Sequence, residues 1–206
     1  TGATVERAGA QMIGVPVLQN AFSNPGFTVA ANVSGGSDAT TYGVATAWAP
    51  TSGRFQVSAG LGLLDPDAGG GRATWGVRGA FPLPMPFDLS GFGVAVFGGL
   101  GGATDDGVTE LRLPAGVGIG YRRALGTRRG ISGYVTPFYS WTRVSGGGEA
   151  RSNGLFRVSL AVDVAVLPVL GVTVGYETGP DADDGDPGPT GGLFGVGVSY
   201  ALRRGP

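Results

Sequence analysis

The amino-acid sequence predicts an all-β fold, a closed antiparallel up-and-down β-barrel of about ten strands. Segments of about ten residues recur along the chain, and in each one large apolar residues alternate with small or polar residues. Gly, Pro, Asp or Ser bounds each segment, whereas the amphipathic runs typical of helices are missing and Lys is absent altogether. The length of 206 residues suits one large β domain.

Ten segments show this alternation, and each predicts a strand. They are FTVAANVS (27–34), TYGVATAWA (41–49), RFQVSAGLGLL (54–64), RATWGVRGAF (72–81), GFGVAVFGGLG (91–101), TELRLPAGVGIGYRR (109–123), ISGYVTPFYSWTR (131–143), LFRVSLAVDVAVL (155–167), LGVTVGYET (170–178) and GLFGVGVSYAL (192–202). Eight strands is the alternative, if two of the weaker segments, such as the first and seventh, are not strands.

Each predicted strand has one large apolar face. Its members, strand by strand, are Phe27, Val29 and Val33; Tyr42, Val44 and Trp48; Phe55, Val57, Leu61 and Leu63; Trp75, Val77 and Phe81; Phe92, Val94 and Val96; Leu111, Leu113, Val117, Ile119 and Tyr121; Val135, Tyr139 and Trp141; Phe156, Val158, Leu160, Val162, Val164 and Val166; Leu170, Val172, Val174 and Tyr176; and Phe194, Val196, Val198 and Tyr200. The opposite face is almost bare, with Gly116, Gly118 and Gly120 in the sixth strand.

The connections between the segments also alternate in character. The odd ones are polar, ending with GPDADDGDPGPTGG (179–192), whereas the even ones include the short PTSG (50–53) and the turn at Pro168. Short turns at one end and longer polar loops at the other are typical of transmembrane β-barrels. An even number of strands puts both ends of the barrel sequence on the same side, and we expect both chain termini there.

A soluble β-sandwich has the same period, but three features favour a membrane barrel. A solvated face seldom carries so much glycine, which suits the interior of a narrow barrel. The segments match the length that a tilted strand needs to span hydrocarbon. Aromatic side chains lie toward the strand ends on the apolar face, as an interfacial girdle requires. The predicted girdle is Trp48, Trp75, Tyr121, Tyr139, Trp141, Tyr176 and Tyr200.

This pattern resembles the small outer-membrane β-barrel proteins of diderm bacteria, in the broad style of the OmpA and OmpX barrels. The resemblance covers residues 26–202 and includes the final strand, VSYAL, which resembles the strand that barrel-assembly machinery recognises. It implies an outer-membrane location and contact with the lipid bilayer, and it allows lipopolysaccharide or another envelope protein as a partner. Residues 203–206 are then a C-terminal tail. Residues 1–25 form a leader that is a periplasmic arm, a partial helix or a segment entering the lumen.

The composition excludes several functions. A formal net charge of -1 provides no field to recruit nucleic acid. The chain has no Cys and no His, which excludes disulfide scaffolds, Cys/His zinc sites and nucleophile systems that need an imidazole. No pair of carboxylates is singled out by its spacing for acid–base chemistry. The sequence therefore predicts a protein that is not an enzyme and has no cofactor.

Charged residues on the bare face are the main candidate site. They are Arg54, Arg78, Glu110, Arg112, Arg122, Arg157, Asp163 and Glu177. Inside a barrel such groups can pair across the lumen, because an arginine fork binds carboxylates in a bidentate manner. Arg54, Arg122 and Glu177 could equally lie at strand ends in water.

The acidic connection 179–192 is a weaker candidate, for calcium. Asp181, Asp183, Asp184 and Asp186 offer hard oxygen ligands, but no Glu closes the loop as in an EF-hand. A solvated acidic loop is the favoured interpretation.

The sequence thus predicts a structural, scaffold or partner-docking barrel whose lumen is largely closed. A narrow channel for small solutes is the first alternative. A secreted soluble β protein, such as an adhesin or a coat component, is the second.

Overall fold

The computed structural model describes residues 12–37, 39–67, 70–84, 90–105, 107–126, 129–146, 148–183 and 185–202. Ten strands make up the fold. They are β1 Gly26–Gly35, β2 Ala39–Ala49, β3 Gln56–Pro66, β4 Arg72–Pro82, β5 Phe92–Asp105, β6 Val108–Ala124, β7 Gly130–Gly146, β8 Glu149–Leu167, β9 Leu170–Thr178 and β10 Leu193–Leu202. Within these ranges, no helix has the length and apolar character needed to cross a membrane.

The strands form one closed barrel. Each strand pairs antiparallel with its neighbours in the sequence, and β1 pairs with β10, so that Val29 lies opposite Tyr200. Closure removes the sheet edges along the length over which all ten strands are paired. The prediction of a ten-stranded closed antiparallel barrel is confirmed. The eight-stranded alternative is wrong, because the first and seventh segments form β1 and β7.

The outer face of the barrel is apolar. Exposed and buried residues alternate along the strands, and the large apolar residues lie on the exposed side. Leu61 is 65% exposed and Leu160 is 55% exposed, and the residues next to each of them on the same face of the strand are also apolar. An outer face of this kind is stable against lipid hydrocarbon rather than water. The fold is therefore that of a membrane barrel.

The two ends of the barrel differ less in connection length than the sequence suggested. The prediction of longer polar loops at the odd connections is wrong except at 179–192, because β5 to β8 extend to 14, 17, 17 and 19 residues and absorb the polar segments. The connections 106–107 and 147–148 are two-residue hairpins. Gly107, the second residue of an Asp-Gly pair, has φ 81°, as such tight hairpins require.

The barrel has two ends, which we call the turn end and the loop end. The turn end carries the connections 50–55, 83–91, 125–129 and 168–169, and β1 begins and β10 ends there. The loop end carries the connection 179–192 and the other odd connections. Strand β8 projects beyond β9 at the loop end, since β9 pairs with β8 only from Val158 onward.

Residues 12–23 precede β1 and cross the interior of the barrel. Met12 and Val17 are 0% exposed, and Val15 and Leu18 are 3% exposed. Of the three alternatives open for residues 1–25, this segment follows the third, a segment entering the lumen. Residues 1–11 lie outside the described ranges.

Candidate functional site

The site is the lumen together with residues 12–23, which we call the plug. At the loop end, Ser34 Oγ donates a 2.7 Å hydrogen bond to the carbonyl of Gly14. At the turn end, Ser23 Oγ donates a 2.8 Å hydrogen bond to the carbonyl of Gly53. The plug therefore runs from one end of the barrel to the other before the chain turns into β1. The two ends of the barrel sequence share the turn end, as an even number of strands requires, whereas residue 12 enters the barrel at the loop end. The chain termini themselves, for which a shared side was expected, lie outside the described residues.

The barrel wall satisfies the backbone of the plug. The Val17 amide donates to Glu177 Oε2 at 2.8 Å, and Arg78 Nη1 donates to the Leu18 carbonyl at 2.7 Å. Thr136 Oγ1 lies 3.3 Å from both the amide and the carbonyl of Gln19. Buried backbone amides and carbonyls without hydrogen-bond partners would lower the stability of the fold. These wall side chains therefore supply the hydrogen bonds that a neighbouring strand would otherwise provide.

Glycines of the wall make room for the plug. A Cβ on Gly175 would lie 2.5 Å from Leu18 Cδ1, and a Cβ on Gly93 would lie 2.6 Å from Phe22 Cε1. A Cβ on Gly43 would lie 2.6 Å from Met12 Cε. Real atoms do not approach so closely. The bare inner face is therefore a cradle for a peptide chain, in addition to suiting a narrow barrel.

A buried ionic cluster lies beside the plug. Glu177 Oε1 accepts from Arg112 Nη2 at 2.6 Å and from Arg157 Nε at 2.8 Å, and the side chains of all three residues are at most 3% exposed. Arg112 Nε also donates to Ser140 Oγ at 2.8 Å. Charge-assisted hydrogen bonds of this length are strong, and they offset part of the cost of taking three charges out of water.

Arg157 connects this cluster to the acidic connection. Its Nη1 donates to the Pro180 carbonyl at 2.9 Å, and its Nη2 donates to the Gly191 carbonyl at 2.8 Å. One guanidinium thus holds both ends of the connection 179–192 against the lumen.

Asp163 anchors the plug closer to the turn end. Its carboxylate accepts from Asn20 Nδ2 at 2.8 Å, from Thr173 Oγ1 at 2.5 Å and from the Tyr134 hydroxyl at 3.4 Å. Asn20 Nδ2 also donates to Ser132 Oγ at 2.9 Å. Asp163 is 4% exposed, so hydrogen bonds from the plug and the wall stabilise its carboxylate in place of water.

The structure brings together five of the eight predicted lumen residues. Arg78, Arg112, Arg157, Asp163 and Glu177 are buried and surround the plug. Glu110 points inward near the loop end and lines a cavity of about 200 Å³ with Arg112.

Arg54 and Arg122 do not join this set. Arg54 is exposed in the connection 50–55, before β3 begins. Arg122 is exposed at the turn end, where its guanidinium carbon lies 4.4 Å from the centroid of the Phe22 ring. Both lie at strand ends, as the alternative interpretation of these two residues proposed.

The seven predicted girdle residues all face outward, in two groups. Trp48, Tyr121 and Tyr200 lie toward the turn end, and Trp75, Tyr139, Trp141 and Tyr176 lie toward the loop end. At the turn end the rings of Phe27, Trp48, Phe55 and Phe81 form a chain with centroid separations of 6.5, 5.6 and 6.4 Å. Phe27 and Phe55 were missed in the girdle prediction, although their alternation placed them on the outer face. Their depth at a headgroup interface stays a prediction.

The acidic connection contains internal hydrogen bonds. Asp181 Oδ1 accepts from the Gly191 amide at 2.6 Å, and the Asp186 amide donates to the Asp183 carbonyl at 2.9 Å. Asp184 lies outside the described residues. Among the residues that are described, no group of three or more His, Cys, Asp or Glu is arranged to hold a metal ion.

Comparison with known proteins gives similarity of structure only. No family model and no curated protein matches the sequence. A bacterial polysaccharide outer membrane secretin has a TM-score of 0.49 and 9% identity, with 88% of this chain and 67% of that chain covered. The KdgM porin in complex with disordered oligogalacturonate has a TM-score of 0.46 and 9% identity, with 85% and 99% covered. LpxR from Salmonella typhimurium has a TM-score of 0.40 and 10% identity, with 80% and 73% covered. The narrower resemblance to OmpA and OmpX stays a prediction.

Proposed function

We propose that this protein is a non-enzymatic barrel of the outer membrane of a diderm bacterium, with a scaffold or partner-docking role and a lumen closed by its own plug. The observation that carries the proposal is the burial of the plug along the lumen. Val17 is 0% exposed and Leu18 is 3% exposed. A barrel of about ten strands has little interior volume beyond what side chains fill, so an additional peptide occupies much of it.

The ionic cluster supports a closed lumen. Glu177 binds two arginines of the wall and the backbone of the plug at once. A solute passing through would have to separate Glu177 from its arginine partners, and this would leave buried charges without a counter-charge. A narrow channel remains the second candidate, because the lumen would carry a surplus of arginine if the plug left. It would then favour anions.

The engagement of the buried carboxylates supports the absence of catalysis. A general base must reach a proton of its substrate. Glu177 and Asp163 instead accept hydrogen bonds from the plug and from the wall. These carboxylates hold the structure together and have little access for a substrate.

The projecting part of the barrel supports docking at the loop end. A tilted strand needs about 9–11 residues to span hydrocarbon. Strands β6 to β8, with 17, 17 and 19 residues, exceed that requirement, and their paired wall extends past β9 at the loop end. The connections at this end are rich in Asp, which disfavours a polyanionic lipopolysaccharide and favours another envelope protein as the partner.

Membrane fractionation with heat-modifiable gel mobility tests the location, and planar-bilayer recording tests the lumen. We expect the protein in the outer-membrane fraction and no steady conductance from the purified chain. A soluble protein would overturn the membrane proposal and favour the secreted alternative. A large, steady conductance would overturn the closed lumen alone and favour the anion channel.

A further inference from the structure

A groove crosses the outer face of β2 to β5 near the turn end. It has a volume of about 750 Å³, within the range of small-molecule pockets. Its lining includes the rings of Phe27 and Trp48 and the side chains of Val57, Val77 and Leu100. Its floor is made of small residues, and a Cβ added to Gly98 would meet nothing within 4 Å.

The register shows that the groove is a continuous depression. Ala59 lies opposite Thr46 on one side and Val77 on the other, and Val77 lies opposite Leu100. In the next row toward the turn end, Gly79 lies between Val57 and Gly98. Small residues thus recur across neighbouring strands on a face that contacts lipid. An extended apolar chain fits this shape.

A basic residue lies next to the groove at the turn end. Arg54 directly precedes Phe55, whose ring lies 5.6 Å from the Trp48 ring, and Arg54 is exposed. Outside the groove, the same end of the barrel also carries exposed Arg123 at the end of β6 and exposed Arg129 in the connection 125–129. Among the described residues of the turn-end connections there is no carboxylate; Asp88, in the connection 83–91, lies outside them.

The loop ends of the same strands have the opposite charge. Asp65 lies at the loop end of β3, Asp67 directly follows that strand, and both are exposed. The Arg72 guanidinium of β4 is paired with Asp105 at 3.1 Å. Arginine near a membrane surface attracts anionic lipid, and its fork binds phosphate oxygens well. An anionic headgroup is therefore favoured at one end of the groove and disfavoured at the other.

We infer that this groove binds an anionic phospholipid, with an acyl chain over Ala59, Gly79 and Gly98 and the phosphodiester at Arg54. The lipid belongs to the leaflet at the turn end. The complementarity between the exposed arginine and the headgroup fixes its orientation, and the apolar floor accommodates its chain.

Tryptophan quenching by brominated lipids tests this site, because the chain has only three tryptophans. One reporter keeps Trp48 and carries Trp75→Phe and Trp141→Phe; a second keeps Trp75 instead. Each is reconstituted in phosphatidylcholine vesicles containing brominated phosphatidylglycerol or brominated phosphatidylcholine. We expect a preference for phosphatidylglycerol at Trp48 and none at Trp75. Heat-modifiable mobility verifies that each variant is folded.

Arg54→Gln is expected to lower the preference at Trp48 about fivefold, the effect of one arginine near an anionic surface. Arg54→Lys should keep most of it, and Arg151→Gln at the loop end is the matched control. An equal preference at both tryptophans, or no change in Arg54→Gln, would overturn the inference. Weak quenching of Trp48 by either lipid together with a cross-linked dimer would also overturn it and assign the groove to a second copy.

Discussion

Val17 and Glu177 lie 160 residues apart in the chain, and the Val17 amide donates a 2.8 Å hydrogen bond to Glu177 Oε2. The other oxygen of the same carboxylate binds Arg112 and Arg157. One buried side chain thus joins the plug, strands β6, β8 and β9 and, through Arg157, the connection 179–192. The stability of the closed lumen should depend strongly on it.

Glu177→Gln is expected to lower the free energy of unfolding by about 3–5 kcal/mol, because it leaves two buried guanidiniums without a counter-charge. Urea unfolding in lipid vesicles measures the change. Asp105→Asn is the matched control: its partner Arg72 is 40% exposed, so the loss should be about 1 kcal/mol or less. Equal effects of the two substitutions would show that the cluster does not behave as a buried one.

Leu160→Arg tests the lipid face of β8. Leu160 lies near the middle of the outer surface and is 55% exposed, so a charge there should destabilise the barrel by about 2–4 kcal/mol. Val166→Arg, on the same face but next to the end of the strand, should cost about 0–1 kcal/mol. Unfolding in vesicles gives both values. A near-neutral Leu160→Arg would count against contact with hydrocarbon.

Gly118→Ala tests the cradle. The added Cβ would collide with the Gln19 carbonyl oxygen, a backbone atom of the plug that cannot rotate away. Overpacking of this kind costs about 1–3 kcal/mol. Gly133→Ala is the control, because a Cβ there meets nothing within 4 Å. If unfolding in vesicles finds both substitutions equally harmless, the plug does not occupy this position.

The absence of cysteine in the chain allows the topology to be mapped by single-cysteine labelling. Asp183→Cys at the loop end is expected to react with an impermeant maleimide on intact cells, and Ser52→Cys at the turn end only after lysis. Because the plug enters the lumen at the loop end, where Ile13 lines the cavity beside Arg112, Ile13→Cys should be reached from the same side as Asp183→Cys. Labelling of Ser52→Cys on intact cells would invert the orientation. Labelling of Ile13→Cys only together with Ser52→Cys would contradict the path of the plug.

The strands and their faces could be predicted because a two-residue period is local information. The outer face of β10, for example, can be identified from Phe194, Val196 and Val198 without reference to any other strand. The same parity placed Arg112, Arg157 and Glu177 on the inner face. It could not give their depth along the barrel, which depends on the register between strands. For that reason Arg54 and Arg122 were grouped with buried residues although they lie at the turn end.

The plug could not be predicted, because residues 12–23 have no period and the contacts that hold them to the inner wall of β7 to β9 are distant in sequence. Gln19 meets Thr136 and Asn20 meets Asp163, more than a hundred residues away. A signal was nevertheless present in Gly93, Gly118 and Gly175. Glycines repeated on one inner face indicate that another segment of the chain packs closely there, which is a stronger statement than a narrow lumen.

Planar-bilayer conductance of two replacement variants tests most directly whether the plug closes the lumen. In one variant residues 12–22 are replaced by a Gly-Ser sequence of the same length, and in the control residues 1–11 are replaced in the same way. We predict a steady, anion-preferring conductance from the first variant and none from the control or the unmodified chain. If the first variant is folded, as judged by heat-modifiable mobility, and still does not conduct, the plug is not what closes the lumen. An unmodified chain that already conducts as well as the variant would lead to the same conclusion.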